Sequence, residues 1–598
     1  MKTLKILLAL LFLSFLTSSI FGQLTPKQAI SQMGRGINIG NTMEPPNEGD
    51  WGNGPVQEFY FDDYKNSGFT NVRIPITWQG HTSATPPYTI NAAWLNRVEQ
   101  VVDWGLKRGL IITINAHHEG FIKNTYTQAN KDRFDSIWSQ IATRFRNKSD
   151  SLLFEIINEP YPISQANIDD LNARVLSIIR KTNPTRIVLF SGNDWASVDK
   201  MIAAAIPPND TNLIAYFHSY DPYPFGLNGP GTYTDADTAA TKSIFDRAAN
   251  WSTAHNIPVV ISELGAVNTC AYNSRMYCYF TVIDQSLKHG IAFDAWDDNG
   301  GFQIYKRGSN KWNEIKDILI YTYKESPTKL RISQPASDSV ILTWTNRTTK
   351  NDSIVIERKT SFYAAFDTFA VVGPALNTFV DTAVTIGKTY YYRLLTHIKD
   401  SIYPMSYPIS ISLPYFKKPN PDTTVADSFG IKLLGASDPD AMDAVTYKLT
   451  LNGLSLPKWL TFVAGSITLK SNLNLPVIGT YPIVITATDR AGQIARDTFN
   501  LTVDYVPSGL KEVADRGDLI IYPIPAKESI NISCPVITGS ADLSIFDCLG
   551  KTVLTKRIED IKNRADCEIK LSNIPSGVYI VKLSCKNSVL CRKIYVNK

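Results

Sequence analysis

An imbalance of charge is what this chain most plainly lacks: 60 Lys and Arg against 55 Asp and Glu leave a formal +5 on 598 residues. So thin a surplus gives no electrostatic footing for nucleic acid or an anionic membrane surface. Long apolar runs are lacking beyond the N-terminus. The run there, Ile6 to Phe21 behind Met1-Lys-Thr-Leu-Lys5, is short for the ~20 residues of a membrane span. With small Gly22 behind it, it has the layout of a secretory signal peptide over residues 1–22, cleaved near Gly22-Gln23. The mature chain is therefore expected to carry no integral membrane segment. Cysteine is scarce, and its number, 7, is odd, so at least one is unpaired within the expected monomer. Cys270 and Cys278 are close enough in sequence to close a short loop after export, and proximity alone leaves that pairing open. The other five, from Cys534 to Cys591, follow no zinc-ribbon spacing, so no metal is expected there, and no cofactor is expected anywhere.

What the chain does have is length and aromatic residues. At 598 residues it exceeds one core, and domains of roughly 100–200 residues give three to five of them. The aromatic fraction of 11% supplies flat faces of the kind that pack against sugar rings.

One stretch organises the rest. Leu152-Leu-Phe-Glu-Ile-Ile-Asn158-Glu159-Pro160 is an apolar run that ends in an amide, a carboxylate and a proline. Pro160 cannot donate to a ladder and favours an extended backbone at Glu159, so the run reads as a buried strand presenting Asn158 and Glu159 at its mouth. Asn-Glu also occurs at Asn47-Glu48 and Asn313-Glu314, but there no buried run precedes it. A second run, Ile257-Pro-Val-Val-Ile-Ser-Glu263-Leu-Gly265, delivers another carboxylate in the same way. Two carboxylates at the ends of buried strands are the minimum equipment for cleaving a glycosidic bond.

Between Arg35 and Asp298 such runs alternate with helical periodicity. The strand candidates are residues 35–41, 71–78, 110–117, 152–160, 186–192, 213–220, 257–265 and 291–298. Between them, Trp94, Leu95, Val98, Val101, Val102 and Leu106 recur near the 3.6-residue period before Gly109. Eight strand-helix units predict a (β/α)8 TIM barrel, whose site lies at the C-terminal strand ends. Those ends carry Arg73 and Trp78, His117-His118-Glu119, Asn158-Glu159, His218-Ser-Tyr220, Glu263 and Trp296. Each alone has a bland reading as packing or a satisfied hydrogen bond. Their recurrence at one end of most strands fits a shared pocket better.

These residues resemble glycoside hydrolase family 5, the cellulase-like retaining β-glycosidases with catalytic carboxylates on strands four and seven. The resemblance covers roughly residues 24–325. It rests on Gly36-Ile-Asn-Ile-Gly-Asn-Thr42, Asn71-Val-Arg-Ile-Pro75, Asn115-Ala-His117-His118-Glu119, Ile157-Asn-Glu-Pro160, His218-Ser-Tyr220, Ile261-Ser-Glu-Leu-Gly265 and Trp296. It implies Glu159 as acid/base and Glu263 as nucleophile. It implies Arg73, His117, Asn158, His218, Tyr220 and Trp296 as the substrate-binding shell. His118 is counted with them, a neighbouring contact without catalytic duty being the alternative. Retention needs carboxyls about 5–5.5 Å apart, Glu263 ionised beside Arg73 and Tyr220, and Glu159 protonated at the start. Trp296 would floor the central sugar subsite, and Trp78, Trp195, Tyr223 and Phe225 are candidates for flanking ones. The implied activity is a secreted endo-β-1,4-glucanase acting on β-glucan. Xyloglucan, mixed-linkage glucan, mannan and xylan stay open, as does a catalytically dead carbohydrate-binding barrel.

After Pro327 short alternating strands take over. Residues 328–414, with Ser339-Val-Ile-Leu-Thr-Trp344 and Lys388-Thr-Tyr-Tyr-Tyr-Arg-Leu394, resemble a fibronectin type III sandwich, with Trp344 in its core and Tyr390 as a tyrosine corner. Residues 415–507 resemble a cadherin-like immunoglobulin domain. Asp438, Asp440, Asp443 and Asp489 within it make no full calcium ligand set and read as turn acids. Residues 517–598, with Tyr522-Pro-Ile-Pro525 and Ile574-Pro-Ser-Gly-Val-Tyr-Ile-Val581, resemble the C-terminal sorting domain of type IX secretion. That resemblance implies the type IX machinery as a partner and the cell surface or medium as destination, a third adhesive sandwich being the alternative.

Overall fold

Each of the eight apolar runs forms a strand in the computed structural model, which describes residues 23–598 except 337, 399–402, 427–428, 440–443, 473–477, 506–518, 535–538, 562–564 and 586–587. The signal-peptide segment, Asp440 and Asp443 lie outside the described residues. The strands are β1 (Arg35–Asn38), β2 (Asn71–Ile74), β3 (Ile111–Asn115), β4 (Leu152–Glu155), β5 (Val188–Phe190), β6 (Leu213–Ser219), β7 (Val259–Leu264) and β8 (Ala292–Ala295). They pair in parallel in sequence order, and β8 closes on β1. Among the described residues ten α-helices accompany them: α1 (Pro26–Met33), α2 (Glu58–Ser67), α3 (Ala92–Lys107), α4 (Gly120–Asn124), α5 (Gln128–Phe145), α6 (Gln165–Arg180), α7 (Val198–Ala203), α8 (Asp235–His255), α9 (Tyr272–His289) and α10 (Glu314–Tyr321).

The strands read as continuous apolar runs because both faces are covered. Outward residues such as Ile112, Ile114, Leu152, Phe154 and Val188 join the helix-facing core. Inward residues Ile111, Leu153, Ile187, Leu189, Ile214 and Val260 form a separate cluster with Ala29, Ile30 and Met33 of α1. That helix, held by a Thr25–Gln28 capping box, closes the N-terminal end of the barrel with apolar side chains. Polar side chains collect toward the other end.

Helix α9 buries ten of its residues, among them Met276, Tyr279, Phe280 and Ile283. An amphipathic barrel helix would bury one stripe. The outer face of α9 is covered by a β-sandwich of two sheets, in pairing order Thr328–Ala336, Ser339–Thr345 and Thr378–Asp381 in one and Asp367–Val372, Asn351–Lys359, Thr389–Ile398 and Ile409–Ser412 in the other. Tyr277 and Phe280 pack on Tyr407 with ring centroids 5.0 and 5.2 Å apart. Asn273 accepts from the Ser410 backbone N–H at 2.7 Å, and Arg393 pairs with Asp317 of α10 at 2.6 Å. Trp344 is buried in this sandwich, and Tyr390 Oη accepts from the Thr385 N–H at 2.7 Å, the contact of a tyrosine corner.

A second sandwich follows, with one sheet of Thr423–Ala426, Ile494–Tyr505, Gly479–Thr488 and Thr446–Leu451 and another of Gly430–Lys432, Thr468–Ser471 and Leu460–Val463, around Trp459, Leu469, Ile485 and Phe499. The C-terminal unit, Tyr505–Lys598, is a compact body with its own core of Ile530, Leu543, Ile545, Val581 and Ile594 between a sheet of Ile520–Tyr522, Ser529–Cys534 and Ala565–Lys570 and a sheet of Thr552–Ile561, Gly539–Phe546, Gly577–Cys585 and Ser588–Val596.

Cys270 and Cys278 do not pair. Both are buried free thiols, and Cys270 Sγ donates to the Phe225 carbonyl at 3.1 Å.

Candidate active site

Arg73 leaves β2 into the barrel interior, where it is fully buried and every direction of its fork is used. Nε and Nη2 grip the two oxygens of Glu155 at 2.8 and 2.6 Å. Nη1 donates to Asn38 Oδ1 at 2.9 Å and to Glu263 Oε1 at 2.7 Å, and Nη2 donates to Asn158 Oδ1 at 2.7 Å. One guanidinium therefore fixes side chains from β1, β4 and β7. With Oδ1 occupied, Asn158 is left with its amide N–H groups to offer a ligand. Asn38 is fixed in turn by donating to the Ser262 carbonyl at 3.0 Å.

Glu263 also accepts from Tyr220 Oη at 2.8 Å, and His218 Nδ1 lies 3.6 Å from its Oε2. His218 joins Glu159 through Nδ1 at 3.1 Å and Ser262 Oγ through Nε2 at 3.0 Å. Oxygens of Glu159 and Glu263 and a nitrogen of His218 all lie within 4.8 Å of one another. Burial raises the Glu263 carboxyl, opposed by the charges of His218 and Arg73. Burial also opposes ionisation of Glu159, but the hydrogen bond and charge of His218 outweigh it, and that carboxyl is lowered. Carboxyls this close titrate as a pair. Their direct partners tell them apart. Glu263 takes two strong donors, Arg73 and Tyr220, whereas Glu159 meets the imidazole of His218.

Glu159 does not have the extended backbone expected before Pro160. Its φ is +38°, a left-handed conformation that costs a non-glycine residue on the order of 1–3 kcal/mol. Strand β4 has already ended at Glu155, and the Asn158 N–H is tied to the Ala116 carbonyl at 2.9 Å, so the chain turns sharply over the pocket.

His117 is buried, and burial with neighbouring positive charge holds its imidazole well below the usual range. Asn115 Oδ1 accepts from the Ile76 N–H, so its Nδ2 is the donor to His117 Nδ1 at 3.1 Å, which leaves the ring proton on Nε2. The Trp296 ring lies parallel to that of His117, with 6.1 Å between centroids. Gly40 lets the chain after β1 lie against the indole: a Cβ there would sit 2.7 Å from the ring. Buried Arg307 locks the same corner by donating to the carbonyls of Gly40 at 3.0 Å and Asp297 at 2.8 Å. His118 is exposed and meets Trp51 edge-on at 5.7 Å.

Trp78 and Phe225 are packing residues. Trp78 is wholly buried and donates Nε1–H to the Asn115 carbonyl, and Phe225 is 5% exposed. Trp195 and Tyr223 are exposed, and Trp195 stacks on Tyr161 at 4.7 Å. Sequence reasoning missed Glu155, Asn38, Asn115, Ser262 and Lys123. Glu155 carried a signal, since a carboxylate inside an apolar strand must find a cation. Lys123 carried none, because a lone lysine after a strand reads as surface.

Residues 32–300, which include all eight strands, match the family described as Cellulase (glycosyl hydrolase family 5). Residues 408–504 match a Putative Ig domain and 520–597 a Secretion system C-terminal sorting domain. Endoglucanase H of Acetivibrio thermocellus is 45% identical over 304 residues, 49% of this chain and 33% of that protein. The chain thus spans about a third of the length of that relative. Endoglucanase B of Clostridium cellulovorans is 32% identical over 323 residues, 48% of this chain and 73% of that protein. Among solved structures, endoglucanase Cel5A from the hyperthermophilic Thermotoga maritima covers 50% of this chain at 31% identity, with 99% of its own chain matched and a TM-score of 0.47. With a relative matched along nearly three quarters of its length and the family match spanning the barrel that holds this pocket, the chain belongs to glycosyl hydrolase family 5.

Proposed function

We propose that the barrel is a retaining endo-β-1,4-glucanase, with Glu263 as nucleophile and Glu159 as acid and then base. The observation that carries the reading is the close approach of the two carboxyls, within 4.8 Å, each held by different partners. That gap suits direct attack and leaves no room for the water an inverting enzyme places between its carboxyls. Glu263, aimed by Arg73 and Tyr220, attacks the anomeric carbon. As the glycosidic C–O bond breaks, the proton on Glu159 passes to the leaving oxygen. Water then attacks the glycosyl ester, its proton goes to Glu159, and Glu263 is released. The Asn158 amide is suited to the sugar 2-hydroxyl, His117 Nε2–H to another hydroxyl, and Trp296 to the ring face.

Exposed Trp51 beside His118, and Tyr161 with Trp195, are aromatic surfaces beyond the central sugar, as internal attack on a polymer requires. Residues 328–414 are read as a fibronectin type III-like domain and 415–507 as an immunoglobulin-like one. Residues 517–598 are read as an address for the type IX secretion machinery, which would deliver the enzyme to the cell surface or medium.

The test is a panel of soluble polysaccharides assayed by reducing ends and viscosity, with the first-formed anomer followed by NMR. Barley glucan or carboxymethylcellulose should lose viscosity faster than it gains reducing ends, and the product should be β. A first-formed α product would end the double-displacement assignment, and turnover confined to mannan or xylan would end the glucanase one.

A further inference from the structure

Lys123, on the one-turn helix α4 behind β3, is 9% exposed. Among the described residues its ammonium makes one hydrogen bond, from Nζ to the His117 carbonyl at 2.8 Å. That carbonyl belongs to the segment carrying His117 and tied to Asn158 through Ala116. A buried ammonium with one neutral acceptor is poorly compensated unless carboxylates stand nearby. They do: the negative charges that act on it belong to Glu159 first, then Glu119, Glu263 and Glu155. Burial pulls the ammonium down only to about 8, so it is charged at neutral pH.

The charges of the pocket can be followed through the reaction. Glu155 and Glu263 are both ion-paired to the single guanidinium of Arg73. Glu119 and Asp294 are pushed up by burial, Glu119 to about 7, and do not add to the negative charge in mildly acidic conditions. The acid role proposed above for Glu159 requires it to carry a proton before the first step, and with that proton its carboxyl adds no charge. Arg73 alone would then leave one negative charge uncompensated, and Lys123 cancels it. In the glycosyl-enzyme Glu263 has become a neutral ester and Glu159 has given up its proton. Glu155 and Glu159 then face Arg73 and Lys123, and the cluster is again balanced.

We propose that Lys123 is the positioning cation that supports Glu159 in its ionised, base-acting state, so that the charge Arg73 supplies to Glu263 has a counterpart on the acid/base side. The proposal rests on the roles given above to Glu159 and Glu263. Lys123 makes no contact with substrate in this scheme. It sets which state of Glu159 is favoured when water must be deprotonated. The other groups whose charges bear on Glu159 are His218 on β6, Arg73 on β2, Glu263 on β7, His118 after β3, and the phenols of Tyr216 and Tyr220. All stay in place when Lys123 is replaced.

The experiment compares wild type with K123M, K123Q and K123R in the full chain, using an activated aryl cellobioside and a soluble glucan. Losing the cation should raise the basic limb of kcat/KM by roughly half to one pH unit, because Glu159 holds its proton longer. It should also slow deglycosylation by about tenfold, seen as a burst of aryl alcohol with low steady-state turnover, and azide should relieve that slow step because it needs no general base. K123R should keep the wild-type limb. An unmoved basic limb in active K123M, or a loss of rate without a burst, would overturn the proposal. So would a K123R that folds while both neutral variants do not, since Lys123 would then be a structural residue. Inactivity of wild type on every glycan would instead sink the hydrolase reading itself, and so is distinguishable.

Discussion

Replacing Glu159 by Ala removes the proposed proton donor but leaves Glu263 with its Arg73 and Tyr220 donors intact. E159A should therefore still form the glycosyl-enzyme from an aryl glycoside whose leaving group needs little protonation. Azide should then rescue turnover as a β-glycosyl azide. E263A should lose burst and turnover together, and azide can only enter from the face Glu263 vacated, giving the α product. Exchange of these two behaviours would reverse the assignment. At this scale the sequence shows what stands at strand ends and conceals what stands beneath them. Asn158, Glu159 and Glu263 were legible because apolar runs deliver them. Ser262 was not, because its neighbour Glu263 carried the signal and a serine in a strand has none. Nor could the sequence give the φ of Glu159, since the rule for a residue before proline is local and the Asn158–Ala116 bond that overrides it is not.

Loops that carry the pocket are held by buried carboxyls as well as by apolar contacts such as those of Met43 and Trp78. Glu119 accepts from the Trp78 N–H at 2.6 Å, and Glu44 accepts from the N–H groups of Asn41 and Thr42. Burial pushes each from 4.5 to about 7. A folded-state value above the unfolded one means that the folded chain holds more protons between pH 4.5 and 7. The stability this contributes is fully present below 4.5 and is lost as pH rises through 7. Each such group is worth up to about 3 kcal/mol over that window. E119Q, which cannot ionise, should flatten the profile of Tm against pH between 5 and 8, and a profile parallel to wild type would show that Glu119 is not held neutral. The eight strands were readable because both faces of each are apolar. The nearly all-round burial of α9 was not recognised from its sequence, because residues such as Tyr277 and Asn273 look ordinary until the sandwich that covers them is in view.

The two compact units divide the chain at Asp504, and the C-terminal one has a core of its own. Deleting residues 505–598 should leave kcat on soluble glucan unchanged while holding the enzyme back from the surface of a host with type IX secretion. Normal export of the shortened chain would remove the sorting role.

The barrel and the first sandwich are different, because one apolar cluster runs from Ile37 and Trp78 through Phe280 and Tyr407 to Trp344. All the proposed pocket residues lie before residue 325, and sequence alone favours a barrel that works by itself. Cutting there would uncover Tyr277 and Phe280, where Tyr407 packs, and leave Asn273, Asp284 and Asp317 without Ser410, Arg347 and Arg393. Each large side chain exposed costs about 1.5–3 kcal/mol. Those residues flank the support of β7: Arg275 of α9 donates to the Ala266 carbonyl at 2.8 Å, and Tyr279 Oη accepts the Ala266 N–H at 3.2 Å, just beyond Glu263. A fragment of residues 23–325 should therefore melt about 5–10 °C below one of residues 23–504 and bind more of an apolar dye, at ~2–4 °C per kcal/mol for a body of this size. At low temperature, where both are folded, kcat on a soluble oligosaccharide should agree within about twofold, because the sandwich adds stability to α9 without adding a group to the pocket. Equal melting temperatures would show that the seam is a contact without consequence, and a large loss of kcat in the folded short fragment would show that the sandwich also sets the position of Glu263.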